Sequence, residues 1–219
     1  IMKKLTILLK KDLQLAWIDK SSWVSAIAFG TISIIFYNLT IDLFVLDVGA
    51  ILPGLLWITF LFCGILVSNN SFTHELDNGI LDGLRIANVP ITLIAISKTT
   101  VNYLFILSIQ ATLLLIVTLF FNIQIESYSM LIYLAFMTLG FTSLLTCLAP
   151  LNHQEQSGTI LTYIVVIPLL IPLILTATRV TFGVIGTMEV ENHWIFLGVL
   201  FSLWQTIVSI ILFQFIIEE

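Results

Sequence analysis

Six stretches of the chain, roughly 23–41, 48–68, 99–121, 129–149, 158–178 and 194–217, are apolar almost throughout. Each has the length, about 20 residues, that a helix needs to cross the hydrocarbon of a bilayer. Hydrocarbon offers no partner to a backbone N–H or C=O, and a helix satisfies both within the segment. The runs are continuous rather than alternating, which argues against the dyad pattern of barrel strands. Composition agrees: 59% of the 219 residues are apolar and 10% charged, against about 25% charged in a soluble domain. The mean hydropathy is +1.11. With a formal charge of −5 and eight Lys and Arg residues, the chain has no basic surface for nucleic acid. The fold class that follows is an all-α integral membrane protein with six transmembrane helices.

Orientation is read from Lys and Arg in short loops, not from net charge. Lys3, Lys4, Lys10, Lys11 and Lys20 precede span 1, and Arg85 and Lys98 lie between spans 2 and 3. Only Arg179 falls on the other side, so the N-terminus is expected inside. An even number of spans returns the C-terminus there too. Lys98 and Arg179 sit at the ends of spans, where a long side chain can snorkel. Residues 3–20 read as an amphipathic interfacial helix on the cytoplasmic leaflet, ahead of a six-helix domain over 21–219. Leu5, Leu8, Leu9, Leu13, Ala16 and Trp17 share one side, with Lys3, Lys10, Lys11 and Gln14 opposite. Two residues break this pattern: Asp12 falls on the apolar side and Ile7 on the polar one. Lys10, Lys11 and Asp12 also interrupt the apolar run a signal peptide would need.

Several chemistries are excluded. His74-Glu75 starts like a zincin helix, but Asn78 stands where the second histidine belongs. Gly49 and Gly54 have phosphate-loop spacing, yet Leu55 and Leu56 follow in place of Lys and Ser/Thr. The chain therefore lacks the familiar ATP site, and ATP-driven work requires another subunit. No G-x-S-x-G occurs, and intramembrane serines such as Ser143 have no histidine base nearby. Cys63 and Cys147 lie in apolar runs and form no C-x-x-C; they read as small buried hydrophobes. The span centres hold no ionisable residue, which argues against a proton-coupled pump. His74, His153 and His193 are the chain's three imidazoles, and each reads as a solvated surface residue.

Two segments stand out. Pro168 and Pro172 lie four apart in span 5, where each removes an i→i−4 bond, so a hinge or kink is expected there. The inside stretch 69–98 is the longest polar connector. Within it, Leu76, Ile80, Leu81 and Leu84 fall on one face of a short helix, with Phe72 one turn ahead and Gly79 permitting a break. Such a helix can lie on lipid or insert into a groove on a soluble partner. The outside stretch 179–193 is too short and polar to span, but Val180, Phe182, Val184 and Ile185 suit a re-entrant element.

The sequence resembles the cytochrome c maturation protein B family, the membrane permease subunit of the haem exporter ABC complex. The family pattern F-x-x-[DE]-x-x-x-G-x-L-[ED]-x-L is matched by Phe72, Glu75, Gly79, Leu81, Asp82 and Leu84, followed by Pro90. Leu52 to Trp57 resembles A-P-G-I-I-W, and Ile167 to Leu175 resembles L-P-L-x-x-P-L-L-I. The chain departs from the family at Asn69-Asn70, where Glu-Arg is common. It departs again at His153 to Gly158, where basic residues are common.

The resemblance implies an ABC-2 exporter-like fold with an N-terminal elbow helix and a short re-entrant element before the last helix. It implies that 69–90 is a coupling loop seated on an ATPase subunit, with Phe72, Glu75, Leu76, Gly79, Leu81, Asp82 and Leu84 as the ATPase-coupling residues. ATP would be bound by that partner, and haem is the substrate. Implied partners are two copies of the ATPase, a second copy of the chain, a haem-handling membrane subunit, a small helper subunit, a periplasmic haem chaperone and membrane lipid. ATP use would promote release of the haem-loaded chaperone at the bacterial inner membrane, or an organelle membrane of bacterial descent. Two other functions fit the residues: a general exporter permease for a lipid, drug or glycan, and a scaffold for the haem-handling subunit.

Overall fold

The computed structural model describes residues 2–18, 20–41, 48–77, 80–151, 158–186 and 189–218. Among them the chain is helical: α1 (Met2–Ile18), α2 (Lys20–Thr40), α3 (Val48–Asp77), α4 (Ile80–Ile86), α5 (Ile91–Phe121), α6 (Tyr128–Leu148), α7 (Gly158–Ile185) and α8 (Asn192–Glu218). Six of these, all but α1 and α4, are long and apolar enough to cross a membrane.

Helix ends follow local chemistry. Pro90 caps α5, and its carbonyl accepts the Leu93 amide at 2.9 Å. Its missing N–H would have had no helical partner in any case. Asn122 ends α5 in the left-handed region at φ 52°, which asparagine tolerates better than most residues. Gly186 follows α7 at φ 76°. A side chain there would meet the Glu126 carboxylate, so the turn needs glycine twice over.

α6 is the axis of the bundle, packed by α8, α7, α5 and α3. From Gly140 to Leu148 every residue of α6 is buried. α2 is peripheral and leaves Phe29, Ile32, Phe36 and Leu39 exposed. The main core joins Leu52, Leu56, Trp57, Leu113, Phe141 and Leu170 across four helices. Trp57, the last residue of the Leu52–Trp57 motif, donates to Thr181 Oγ1 at 2.9 Å and meets Phe60 and Phe141 edge to face.

In hydrocarbon, helices associate through close packing and small residues rather than through the hydrophobic effect. The α6–α8 crossing shows this. A Cβ at Gly140 would lie 2.5 Å from Ser202 Cα. Ser202 Oγ donates to Phe136 O at 2.8 Å and accepts from Gly140 N at 3.0 Å. The hydroxyl is thus inserted into an i→i−4 step of α6.

Candidate functional site

At the end of the bundle that carries α1 and α4, a second apolar cluster is separate from the main core. Phe72, Ile94, Ala95, Cys147, Ala149, Phe213 and Ile217 form it, and Leu84, Val89 and Ile91 pack against it. Phe72, near the end of α3, is fully buried, with its ring 5.7 Å from that of Phe213 in α8. α4 is the short helix expected beyond it. Leu84 turns into the cluster, while Ile86 is 83% exposed. One face of α4 is therefore anchored to the bundle, and Ile86 presents an apolar side chain away from it.

Beside Phe72 lies a knot of buried polar groups. Asp12 and Lys98 are 3% and 4% exposed. Lys98 Nζ stands 3.4 Å from Asp12 Oδ1 and donates to the Ser71 carbonyl at 2.7 Å. It also lies 5.1 Å from the centre of the Phe72 ring, within cation–π range. Ser97 Oγ donates to Asp12 Oδ2, and Lys11 Nζ approaches Oδ1 at 3.1 Å. Asn102 donates to Ser71 Oγ at 3.2 Å and to Thr146 Oγ1 at 3.0 Å. Nearer the start of α1, Lys4 Nζ donates at 3.2 Å to the carbonyl of Asn88, in the turn between α4 and α5. α1, α3, α5 and α6 meet here.

The structure corrects the reading of Lys98 as a snorkelling residue at a span end. α5 begins at Ile91, so Lys98 lies inside the helix and is directed into protein. It also explains why Asp12 broke the amphipathic pattern of α1. Leu5, Leu8, Asp12, Leu15 and Ala16 form the covered side of that helix, while Ile7 and Trp17 are exposed. Asp12 faces inward because its partner waits there.

Of the residues singled out from sequence, Phe72 and Leu84 are brought together. Glu75 and Leu76 belong to the last turns of α3, and Leu81 and Asp82 to α4; their side chains, and Gly79 altogether, lie outside the described residues. The same holds for His74, His153 and the connector 152–157. The sequence reading missed Asp12, Lys98, Ser71 and Asn102 as a group. The one available signal was a carboxylate on the apolar side of α1.

The family model described as CcmB protein matches residues 3–218. The chain belongs to the CcmB family. It is thus a multi-pass membrane component of the haem-exporting ABC system of cytochrome c maturation, on the transporter permease side of that system. No curated protein matches the chain.

The proline segment of this CcmB-family chain lies within α7, which remains helical through Pro168 and Pro172. Gln205 of α8 donates at 2.6 Å to the carbonyl of Leu169, between the two prolines. Where proline disrupts the backbone ladder, neighbouring side chains in a membrane bundle supply substitute bonds. Thr176 Oγ1 returns a bond to the carbonyl of Leu173 at 2.8 Å. α7 runs on to Ile185, so the stretch 179–193 begins as its last turns and reverses through Gly186. Arg179 lies in that helix, exposed, 5.3 Å from the Trp194 ring centre.

Proposed function

We propose that the α1/α4 end faces the cytosol and that the end of α3 together with α4 is the coupling element seated on the ATPase subunit. Two copies of the chain pair and carry two ATPase subunits. Their ATP use drives release of the haem-loaded chaperone on the far side of the inner membrane, beside the haem-handling subunit and the small helper. Haem is the substrate of this system, and ATP belongs to the partner.

The observation that carries the reading is the burial of Phe72. Its ring is held by Lys98 from α5 and by Phe213 from α8, so the connector is fastened to two spanning helices at its root. A force applied at α4 reaches the spans through that root. A solvated loop with no mechanical task would have no need of it. The coupling free energy such a contact must transmit is modest, about 1–3 kcal/mol. Glu75, Leu76, Gly79, Leu81, Asp82 and Leu84 form the docking segment in this reading. Ile86 joins it as an exposed apolar anchor. Pro168 and Pro172 are the hinge of α7, with Gln205 holding the carbonyl between them.

The test is co-purification. Ile86→Asp and Leu81→Asp each place a carboxylate on the docking segment, the first at an exposed position. Loss of the ATPase subunit from the purified complex, with the folded permease retained, is the expected result. Undiminished association together with undiminished ATP-dependent chaperone release overturns the docking role.

A further inference from the structure

We propose that the Asp12–Lys98 pair is a latch that holds α1 to the root of the coupling segment, so that displacement at α4 is passed to the N-terminal helix as well as to the spans. The proposal rests on the docking reading above for the source of the displacement, and on the geometry alone for the tie itself.

A single ammonium group joins three elements. Lys98 belongs to α5; it reaches Asp12 of α1 at 3.4 Å and the Ser71 carbonyl of α3 at 2.7 Å. Its charge also faces the Phe72 ring. A second tie, from Lys4 to the Asn88 carbonyl at 3.2 Å, attaches the other end of α1 to the turn that follows α4. α1 is thereby fastened on both sides of the coupling segment.

Stability is a poor reason for such a pair. Burying two opposite charges costs desolvation that their attraction only partly offsets, and apolar replacement of both is often neutral or stabilising. What a buried charge pair adds over leucine is directionality. Lys11, its neighbour on α1, moves with Asp12, but the Lys98 ammonium and the Ser97 hydroxyl meet the carboxylate only where those two residues of α5 stand. α1 is therefore held in one register against α5, where a purely apolar stripe would permit sliding. Lys98 in turn keeps its 2.7 Å bond to α3 only while the Ser71 carbonyl remains in place. Displacement of α3 at Ser71 thus pulls on the group that holds α1. Asp12 and Lys98 are positioning residues in this account; neither touches haem or ATP.

Two measurements test it. The first uses the permease alone, with spin labels at Gln14→Cys and Ala87→Cys, both exposed positions. The expected result is one narrow distance in the otherwise unchanged chain and a broadened distribution in Asp12→Asn and in the double variant Asp12→Leu/Lys98→Met. Equal distributions in all three overturn the tie.

The second uses the assembled complex and reads chaperone released per ATP hydrolysed. That ratio is expected to fall at least tenfold in both variants, with the ATPase subunit still bound. The double variant removes both charges of the pair, so it is expected to melt at or above the temperature of the parent chain, and it decides the matter if Asp12→Asn fails to fold. A double variant with the parent ratio shows that the pair serves packing only and overturns the latch. Should the ATPase fail to associate with the unsubstituted chain, the docking reading falls, while the label distances still judge the tie.

Discussion

Two of the regions in which the protein buries polar groups are built differently. At the α6–α8 crossing the groups are neutral: the Ser202 hydroxyl sits between Phe136 O and Gly140 N, and Gly140 lets the two backbones approach. At the α1/α4 end the groups are charged, and Asp12, Lys98 and the Ser71 carbonyl draw three helices to one point. The first arrangement is how helices pack in lipid, where small residues and hydroxyls replace the hydrophobic effect. The second is more costly than packing requires, and it lies where the connector leaves the bundle. The difference separates a seam that holds the spans together from a junction that ties them to α1 and α4.

The contrast is broken most forcefully by isolating one charge. Asp12→Ala takes the Asp12 carboxylate away from the buried Lys98, and removing one partner of a buried pair costs about 3–5 kcal/mol. Thermal unfolding in detergent is expected to show a large drop in Tm, restored when Lys98→Met is added. No restoration would mean that the junction is not a charge pair in solution.

The seam answers to size instead. Gly140→Val would set a Cβ 2.5 Å from Ser202 Cα, a backbone contact that cannot swing aside. Overpacking of this kind costs about 1–3 kcal/mol or more. The expected outcome is a lower Tm that no change at Asp12 or Lys98 repairs.

Ser202→Ala sharpens the comparison from the other side. Without the inserted hydroxyl, the Gly140 amide can bond the Phe136 carbonyl directly, so the loss is expected to stay below about 1.7 kcal/mol, as for hydrogen bonds between membrane helices generally. A loss as large as that of Asp12→Ala would make the two regions alike in kind.

The smallest expected effect on stability is that of Ile86→Asp. Its side chain is exposed, and surface changes away from special features stay within about 0.5 kcal/mol. The same variant is expected to lose the ATPase subunit in co-purification, so stability and assembly part company at this residue.

How much of this could be read from the sequence follows from what each feature depends on. The six spanning helices were legible because hydrocarbon demands contiguous apolar residues, a constraint local in sequence. Phe72 and Leu84 were legible through helical spacing ahead of Pro90. Lys98 defies its sequence expectation because the uninterrupted apolar run begins at 99, whereas α5 begins at Ile91. That difference places the lysine in the second turn of a helix rather than before it, and turns it from solvent to protein. Asp12 announced itself as a misfit, but its meaning lay 86 residues away in Lys98, and spacing carries no information about such pairs. The Gly140–Ser202 contact was hidden for the same reason: two ordinary small residues gain significance only from the crossing of α6 and α8.

The central claim is that α4, fastened to the bundle at Phe72, receives a separate ATPase on the cytosolic side. The most direct measurement places a photo-crosslinking residue at Ile86 and, as a comparison, at Phe36 on the exposed face of α2, in cells that assemble the whole complex. The account predicts that position 86 captures the phosphate-loop ATPase subunit and position 36 does not. Capture of a periplasmic protein at position 86, or capture of the ATPase at position 36 alone, would contradict it.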